Sequence, residues 1–198
     1  MGLFRMGPPE GLILFLKDNY APKNFIETGT FKGNTAKWAS KYFQVYTIEK
    51  GKIIYEKAVA KYKDSKINFI FGDSREKLRN LLDTLEGSTI FWLDAHWSGG
   101  STYGYNDECP LIEEIKIIRE HHKDDFFMLI DDARLFLATP PEPHNPIYWP
   151  NIQELIELFS KDKFYVNIFE DVVIIVPVKT KEKLISFIQR KVTCQQKR

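Results

Sequence analysis

The sequence predicts an α/β fold: a doubly wound, mostly parallel seven-stranded sheet ending in an antiparallel β-hairpin. Three observations carry this. Apolar, β-branched runs alternate with helix-like segments through residues 24–131. The first run, "FIET", passes directly into the glycine-bearing turn "GTFKG" and then a helix-like stretch. The last two runs, "FYVNIF" and "VVIIVPV", are joined only by Glu170 and Asp171.

Strands are expected at 24–28, 44–49, 67–71, 89–94 and 126–131, each followed by a helix or a loop plus helix. That order implies parallel βαβ units and a sheet covered on both faces. The segment "ATPPEPHNPIYWPN" (138–151) holds Pro140, Pro141, Pro143, Pro146 and Pro150, which exclude regular structure there. Asn151, with Glu154 three residues on, forms a capping pair that starts the helix "IQELIELFSKD". The two final runs are too close for a helical crossover and must pair as a hairpin. A length of 198 residues suits one domain spanning 1–198.

Lys+Arg 28 against Asp+Glu 27 gives no broad pull toward nucleic acid or an anionic membrane. The basic stretches "KYKDSK" and "QRKVTCQQKR" lack the interleaved aromatics of a nucleic-acid surface. The longest apolar runs fall far short of the roughly 20 residues that span a bilayer, and the start "MGLFRMGPPEG" lacks the order of a signal peptide. Cys109 and Cys194 are too few for a disulfide framework and fit a reducing cytoplasm. A homodimer is compatible with the sequence, as is a small-molecule or glycan substrate.

In doubly wound sheets ligands bind outside the carboxyl ends of the strands, near the first βα turn. Gly29 and Gly33 allow a tight turn and close backbone approach there. Three residues rather than four separate these glycines, and Asn34 follows, so the turn is not a Walker A loop. Phe31 stands where a dinucleotide fingerprint needs its second glycine, which leaves a nucleoside without a pyrophosphate. Glu49, twenty residues after Gly29, suits ribose hydroxyls, and Asp73 or Ser74 suits an adenine amino group.

The motifs "ETGTFKG", "TIEK", "FGDS", "WLDAHW" and "LIDDAR", in this order and ending in "FYVNIFEDVVIIVPV", resemble class I S-adenosylmethionine-dependent methyltransferases. Within that class they are most similar to the metal-dependent group that includes macrocin O-methyltransferase and the cephalosporin-hydroxylase-like proteins, many of which methylate sugar hydroxyls. The resemblance spans roughly residues 20–178. It implies that Glu27, Thr28, Gly29, Thr30 and Gly33 hold the methionine moiety, with Asn34 and Thr35 at the helix start. It gives Glu49 the ribose, and Asp73 and Ser74 the adenine. Acidic lining from Glu27, Glu49, Asp73 and Asp94 suits a sulfonium.

Asp94, Asp131 and Asp132 fall at neighbouring strand ends. Three unpaired carboxylates raise one another's pKa, a conflict that a hard cation such as Mg²⁺ removes. The resemblance assigns these three positions to a divalent metal, which would acidify and orient an acceptor hydroxyl. Asp94 is the first choice of general base and His96 the second. Trp97, Tyr103, Tyr105, Tyr148 and Trp149 are candidate sugar-stacking residues, and Arg134 either bonds substrate oxygens or holds Asp131. His121 and His122 are expected to face solvent. The expected activity is methyl transfer to a sugar hydroxyl of a glycan or glycoside. The alternatives are O-methylation of a small phenol or other natural product, and a non-catalytic nucleoside-binding module. An iron oxygenase is disfavoured, because the three aspartates are not a two-His, one-carboxylate set.

Overall fold

The computed structural model describes residues 7–97, 104, 106–159 and 163–196. Five parallel strands form the body of one sheet: β1 (Asn24–Thr28), β2 (Gln44–Glu49), β3 (Ile67–Phe71), β4 (Thr89–Leu93) and β5 (Phe126–Ile130). An antiparallel hairpin of β6 (Phe164–Phe169) and β7 (Val172–Pro177) completes it, giving the order β3-β2-β1-β4-β5-β7-β6. The expected fold class is the observed one. Strands β4 and β5 stop one residue earlier than expected, which places Asp94 and Asp131 just beyond the sheet.

Alternation along the strands builds two cores. Ile26, Phe91, Leu93, Met128 and Ile130 face one side, where Leu78 and Leu82 of α4 (Ser74–Leu82) and Leu111, Ile115 and Ile118 of α5 (Leu111–His121) cover them. Phe25, Ile90, Trp92, Phe127 and Leu129 face the other. There they meet Leu12, Ile13 and Leu16 of α1 (Glu10–Tyr20), Ala36 and Ala39 of α2 (Asn34–Ala39) and Leu184 of α8 (Lys181–Gln196). The other α-helices among the described residues are α3 (Lys52–Lys61), the short α6 (Arg134–Leu137) and α7 (Ile152–Glu157).

Local signals explain several boundaries. Asn151 and Glu154 form the expected reciprocal capping box at the start of α7. Glu170 and Asp171 both have positive φ, 50° and 64°, the geometry of a two-residue turn matched to strand twist. The proline-rich segment does contain one regular turn, a 3₁₀ helix at Pro146–Tyr148 begun by the Asn145 side chain. His122 corrects the expectation of solvent exposure: it is buried, edge-on to Phe91 and Phe126. His121 does sit at the surface edge, where it pairs with Asp83 at 2.8 Å.

Truncating a central side chain here leaves a cavity that neither layer can close. Phe91→Ala should lower stability by about 3–5 kcal/mol in urea unfolding, whereas Ile53→Ala, at an exposed site, should change it by less than about 0.5 kcal/mol.

Candidate active site

The parallel neighbours β1 and β4 mark the point where the order of strand addition changes side, from β1-β2-β3 to β4-β5, so their carboxyl ends open a crevice at the topological switch point. Gly29 leaves β1 with φ +85°, and a Cβ there would lie 2.2 Å from the Asp94 carbonyl oxygen. The turn rests on β2 through hydrogen bonds from the Gly29 and Thr30 amides to the Ile48 carbonyl, at 3.0 and 3.3 Å. Gly33 precedes α2 with φ +68°. Phe31, between them, holds φ +45° without being glycine, and its amide donates to Glu49 Oε2 at 3.0 Å. Glu49 Oε1 accepts from the Gly51 amide at 2.8 Å, so this carboxylate ties the first two βα loops together.

Below the turn lies a chain of buried polar groups. Thr47 Oγ1 donates to Glu27 Oε2 at 2.6 Å, and Thr30 and Thr47 hydroxyls share a 2.6 Å hydrogen bond. Glu27 is 2% exposed. Burial pushes its carboxyl up to about 8; the Thr47 and Thr35 hydroxyls pull against this, and the Asp94 and Glu49 charges add to it. Asp94 is pushed up to about 6, first by burial, with His96 opposing and Asp132 adding. No side chain caps α2: Asn34 instead accepts from Lys61 and Tyr62 at 2.8 and 2.9 Å.

The nucleoside end differs from expectation. Asp73 caps α4 through the Arg75 amide, and its carboxylate is held by the Arg75 guanidinium at 2.9 and 2.7 Å and by Lys50 at 2.7 Å. Those partners hold it well below the usual carboxylate range. Asp73 is therefore a structural anchor before it is an adenine acceptor. Ser74 is buried against Glu114, a residue the sequence reading missed. Burial pushes Glu114 up to about 7, with the Ser74 and Thr28 hydroxyls opposing the shift. A Glu on the apolar Leu111, Ile115, Ile118 face of α5 was the available signal.

At the other end, Asp132 has φ +58° and turns back on the strand end, its amide donating to Asp131 Oδ1 at 2.8 Å. Its carboxylate takes His96 Nε2 at 2.9 Å on Oδ2 and Arg134 Nη1 at 2.6 Å on Oδ1. Arg134 also pairs with Asp171 from the hairpin turn, and Asp171 accepts the Arg134 amide at 2.9 Å. Arg134 thus holds Asp132 rather than Asp131. His96 Nδ1 lies 3.6 Å from Asp94 Oδ1. Burial alone would depress the imidazole, but the Asp132 hydrogen bond and the charges of Asp94, Asp132 and Asp131 outweigh it and raise it. Asp131 is pushed up to about 8 by burial and by Asp94 and Asp132. In donor chemistry the three aspartates suit a hard cation. Their arrangement does not: Asp132 is spent on His96 and Arg134, and among the described residues no group of three or more His, Cys, Asp or Glu side chains is placed to hold a metal. In this structure the three expected metal positions form a carboxylate cluster countered by His96 and Arg134.

Two of the expected stacking residues are also reassigned. Trp149 is buried, donates to Glu108 Oε2 at 2.7 Å and packs on His96, with ring centroids 5.4 Å apart. Trp97 is buried and meets His144 edge-on at 5.5 Å. Tyr148 is exposed and remains available to a ligand. Tyr103 and Tyr105 lie outside the described residues. Glu108, which gathers this wall, was not anticipated; its signal was the acidic pair that opens "DECP", next to Cys109 and Pro110.

No family model matches the sequence, and no curated protein matches it. Solved structures do match in shape. The O-methyltransferase TomG from Streptomyces achromogenes, involved in tomaymycin synthesis and solved with SAM, is 14% identical, with a TM-score of 0.61 over 88% of this chain and 81% of that one. An O-methyltransferase from Bacillus cereus, solved with SAH, is 14% identical, with a TM-score of 0.60 over 87% and 82%. A Staphylococcus aureus structure designated a putative caffeoyl-CoA O-methyltransferase is 17% identical, with a TM-score of 0.61 over 88% and 86%. The chain therefore has the Rossmann-like fold of these O-methyltransferases, with its polar crevice at the same topological switch point that the fold uses for ligands.

Proposed function

We propose that the protein transfers the methyl group of S-adenosylmethionine to a hydroxyl, that of a sugar in a glycan or glycoside. The carrying observation is the pair Glu27 and Asp94. Both flank Gly29 at the switch point, both are pushed up by burial, and among the described residues the hydrogen-bond partners of Glu27 are hydroxyls. A buried carboxylate such as Glu27, which has no counter-ion among the described residues, is costly. A sulfonium with its α-ammonium group supplies the missing charge. The methionine moiety would run along Glu27, Thr28, Gly29, Thr30 and Gly33, with Asn34 and Thr35 at the α2 start, and the ribose would meet the lone pairs that Glu49 has left.

His96 is the base this geometry favours over Asp94. Donation from Nε2–H to Asp132 fixes the tautomer and leaves Nδ1 with its lone pair on the Asp94 side. The neutral ring removes the acceptor proton as the oxygen attacks the methyl in line with the departing sulfur. Positive charge then passes from sulfur to imidazole, and Asp94 and Asp132 stabilise it in both places. His96 and Arg134 occupy Asp132, and the step draws on the imidazole and its flanking carboxylates. A second acceptor class has its own support. With Trp97 and Trp149 buried, neither ring offers a broad platform for a sugar, which favours a smaller acceptor such as a phenol or other small natural product.

Calorimetry with S-adenosylmethionine and S-adenosylhomocysteine tests the cofactor; micromolar binding of both is expected, and none of either would overturn the reading. A panel of methyl glycosides and catechols then separates the two acceptor classes. His96→Gln should lower kcat by roughly 10²- to 10⁴-fold while leaving cofactor affinity in place. Activity should persist in excess chelator; loss that Mg²⁺ restores would reinstate a metal at the aspartates.

Glu27 gives a pH test with a definite sign. Its carboxyl rises on folding from an ordinary 4.5 to about 8, so between those values the native state holds a proton that the unfolded chain has lost. Stability therefore falls as pH rises through that window, by roughly 1 kcal/mol per pH unit. Glu27→Gln should remove that slope, be more stable than the parent at pH 8, and bind S-adenosylmethionine at least about tenfold more weakly. A parent and variant with identical pH profiles would mean that Glu27 is not buried as described.

A further inference from the structure

Asp107 and Glu108, consecutive residues ahead of α5, serve opposite ends of the crevice. Asp107 accepts from Arg75 Nη1 at 3.1 Å and Nη2 at 2.5 Å, and lies 3.6 Å from Lys50 Nζ. Arg75 and Lys50 are the same cations that grip Asp73. Four charges, Lys50, Asp73 and Asp107 from the segments after β2, β3 and β4 and Arg75 from the first turn of α4, thus meet around the nucleoside end, next in sequence to Glu49.

Glu108 turns the other way and is 2% exposed. Oε2 accepts from Trp149 Nε1 at 2.7 Å and contacts His144 Nδ1 at 3.3 Å, while Oε1 accepts from the Asn145 amide at 3.0 Å. Its carbonyl accepts from the Trp97 amide at 2.7 Å. One buried carboxylate therefore organises Trp149 and His144, and its backbone holds Trp97. These rings form the wall against His96.

Consecutive Cα atoms are about 3.8 Å apart across a planar peptide unit. A displacement of Asp107 is therefore passed to Glu108 with little slack, and a buried carboxylate with several donors cannot shift without uncovering them.

We propose that the Asp107–Glu108 pair couples the donor end of the site to the acceptor wall. A nucleoside cofactor seated among Lys50, Asp73 and Arg75 immobilises Asp107, and Glu108 then orders residues 144–149 beside His96 before the acceptor arrives. Both acids are positioning residues, with no contact to the reacting atoms. The inference rests on the S-adenosylmethionine reading above and adds to it an order of binding, cofactor first.

The test needs no acceptor. S-adenosylhomocysteine binding is measured by calorimetry for the parent, Asp107→Asn and Glu108→Gln, and amide hydrogen exchange is followed across 144–149 with and without saturating ligand. Useful reporters are the Asn145 amide on Glu108, the Tyr148 amide on the Asn145 carbonyl at 3.1 Å and the Trp149 amide on the Pro146 carbonyl at 3.2 Å. In the parent, ligand should slow exchange there by about fivefold. Asp107→Asn should still bind ligand yet lose that slowing, and Asp107→Glu, which keeps the charge, should recover it. Glu108→Gln should exchange fast in both states; if it fails to fold, the Asp107 variants decide alone. A ligand-bound parent unchanged at 144–149, or undiminished slowing in Asp107→Asn, overturns the coupling. No ligand binding to the parent defeats the cofactor reading and the coupling with it.

Discussion

Everything at the crevice depends on how closely the end of β1 approaches the end of β4. A side chain at position 29 would overlap the Asp94 carbonyl oxygen, so only glycine lets the first turn lie flat against the neighbouring strand end. That approach sets Glu27 and Thr28 on opposite faces of one strand, one toward Thr47 and the other toward Glu114. It also brings Asp94 within electrostatic reach of Glu27. The acidic character of the crevice is therefore a consequence of backbone packing. Two strands that must touch at a glycine carry their terminal carboxylates into the same small volume.

The hairpin has a second role beyond closing the sheet. Its two-residue turn presents Asp171 to the start of α6, where the carboxylate accepts the Arg134 amide and pairs with the Arg134 guanidinium, while the Asp171 carbonyl accepts the Ala133 amide at 2.8 Å. Arg134 then reaches Asp132, and Asp132 reaches His96. The antiparallel edge thus orients an imidazole on the far side of β5. A purely parallel edge would have put a helix crossover where this short turn lies.

The fold was legible in the sequence because it rests on local signals. Alternation of run type, the capping box at Asn151 and Glu154, and the two-residue link at Glu170 and Asp171 are readable within a dozen residues. Candidate acids were legible too, since strand ends in such sheets collect functional groups. Their partners were not. Glu108 meets Trp149 across 41 residues of sequence, and Arg75 meets Asp107 across 32; such pairs are products of packing, with no periodicity to announce them. The same cause explains the reassigned residues. His122 ends a charged helix but faces Phe91 and Phe126. Trp149 follows an exposed 3₁₀ turn, yet its ring is drawn inward by a buried carboxylate.

The acids of the crevice fall into two populations, and the difference bears on chemistry. Asp73, Asp107, Asp132 and Asp171 each have a cationic partner at the site's rim. Glu27 and Glu114 are buried with hydroxyl partners and are pushed up, and Asp94 and Asp131 are pushed up around a single imidazole. The first population builds walls; the second waits for charge. On the proposed reading that charge arrives as a sulfonium and is not lost in the reaction. Sulfur becomes neutral as the acceptor proton moves to His96, so one positive charge persists within the same carboxylate group and only changes its seat. Interactions that strengthen as charge moves toward the Asp94–Asp132 side favour the transition state over the bound substrates. A crevice with preset acids at both seats stabilises that transfer without reorganising, and burial of those acids is the stability given up for it.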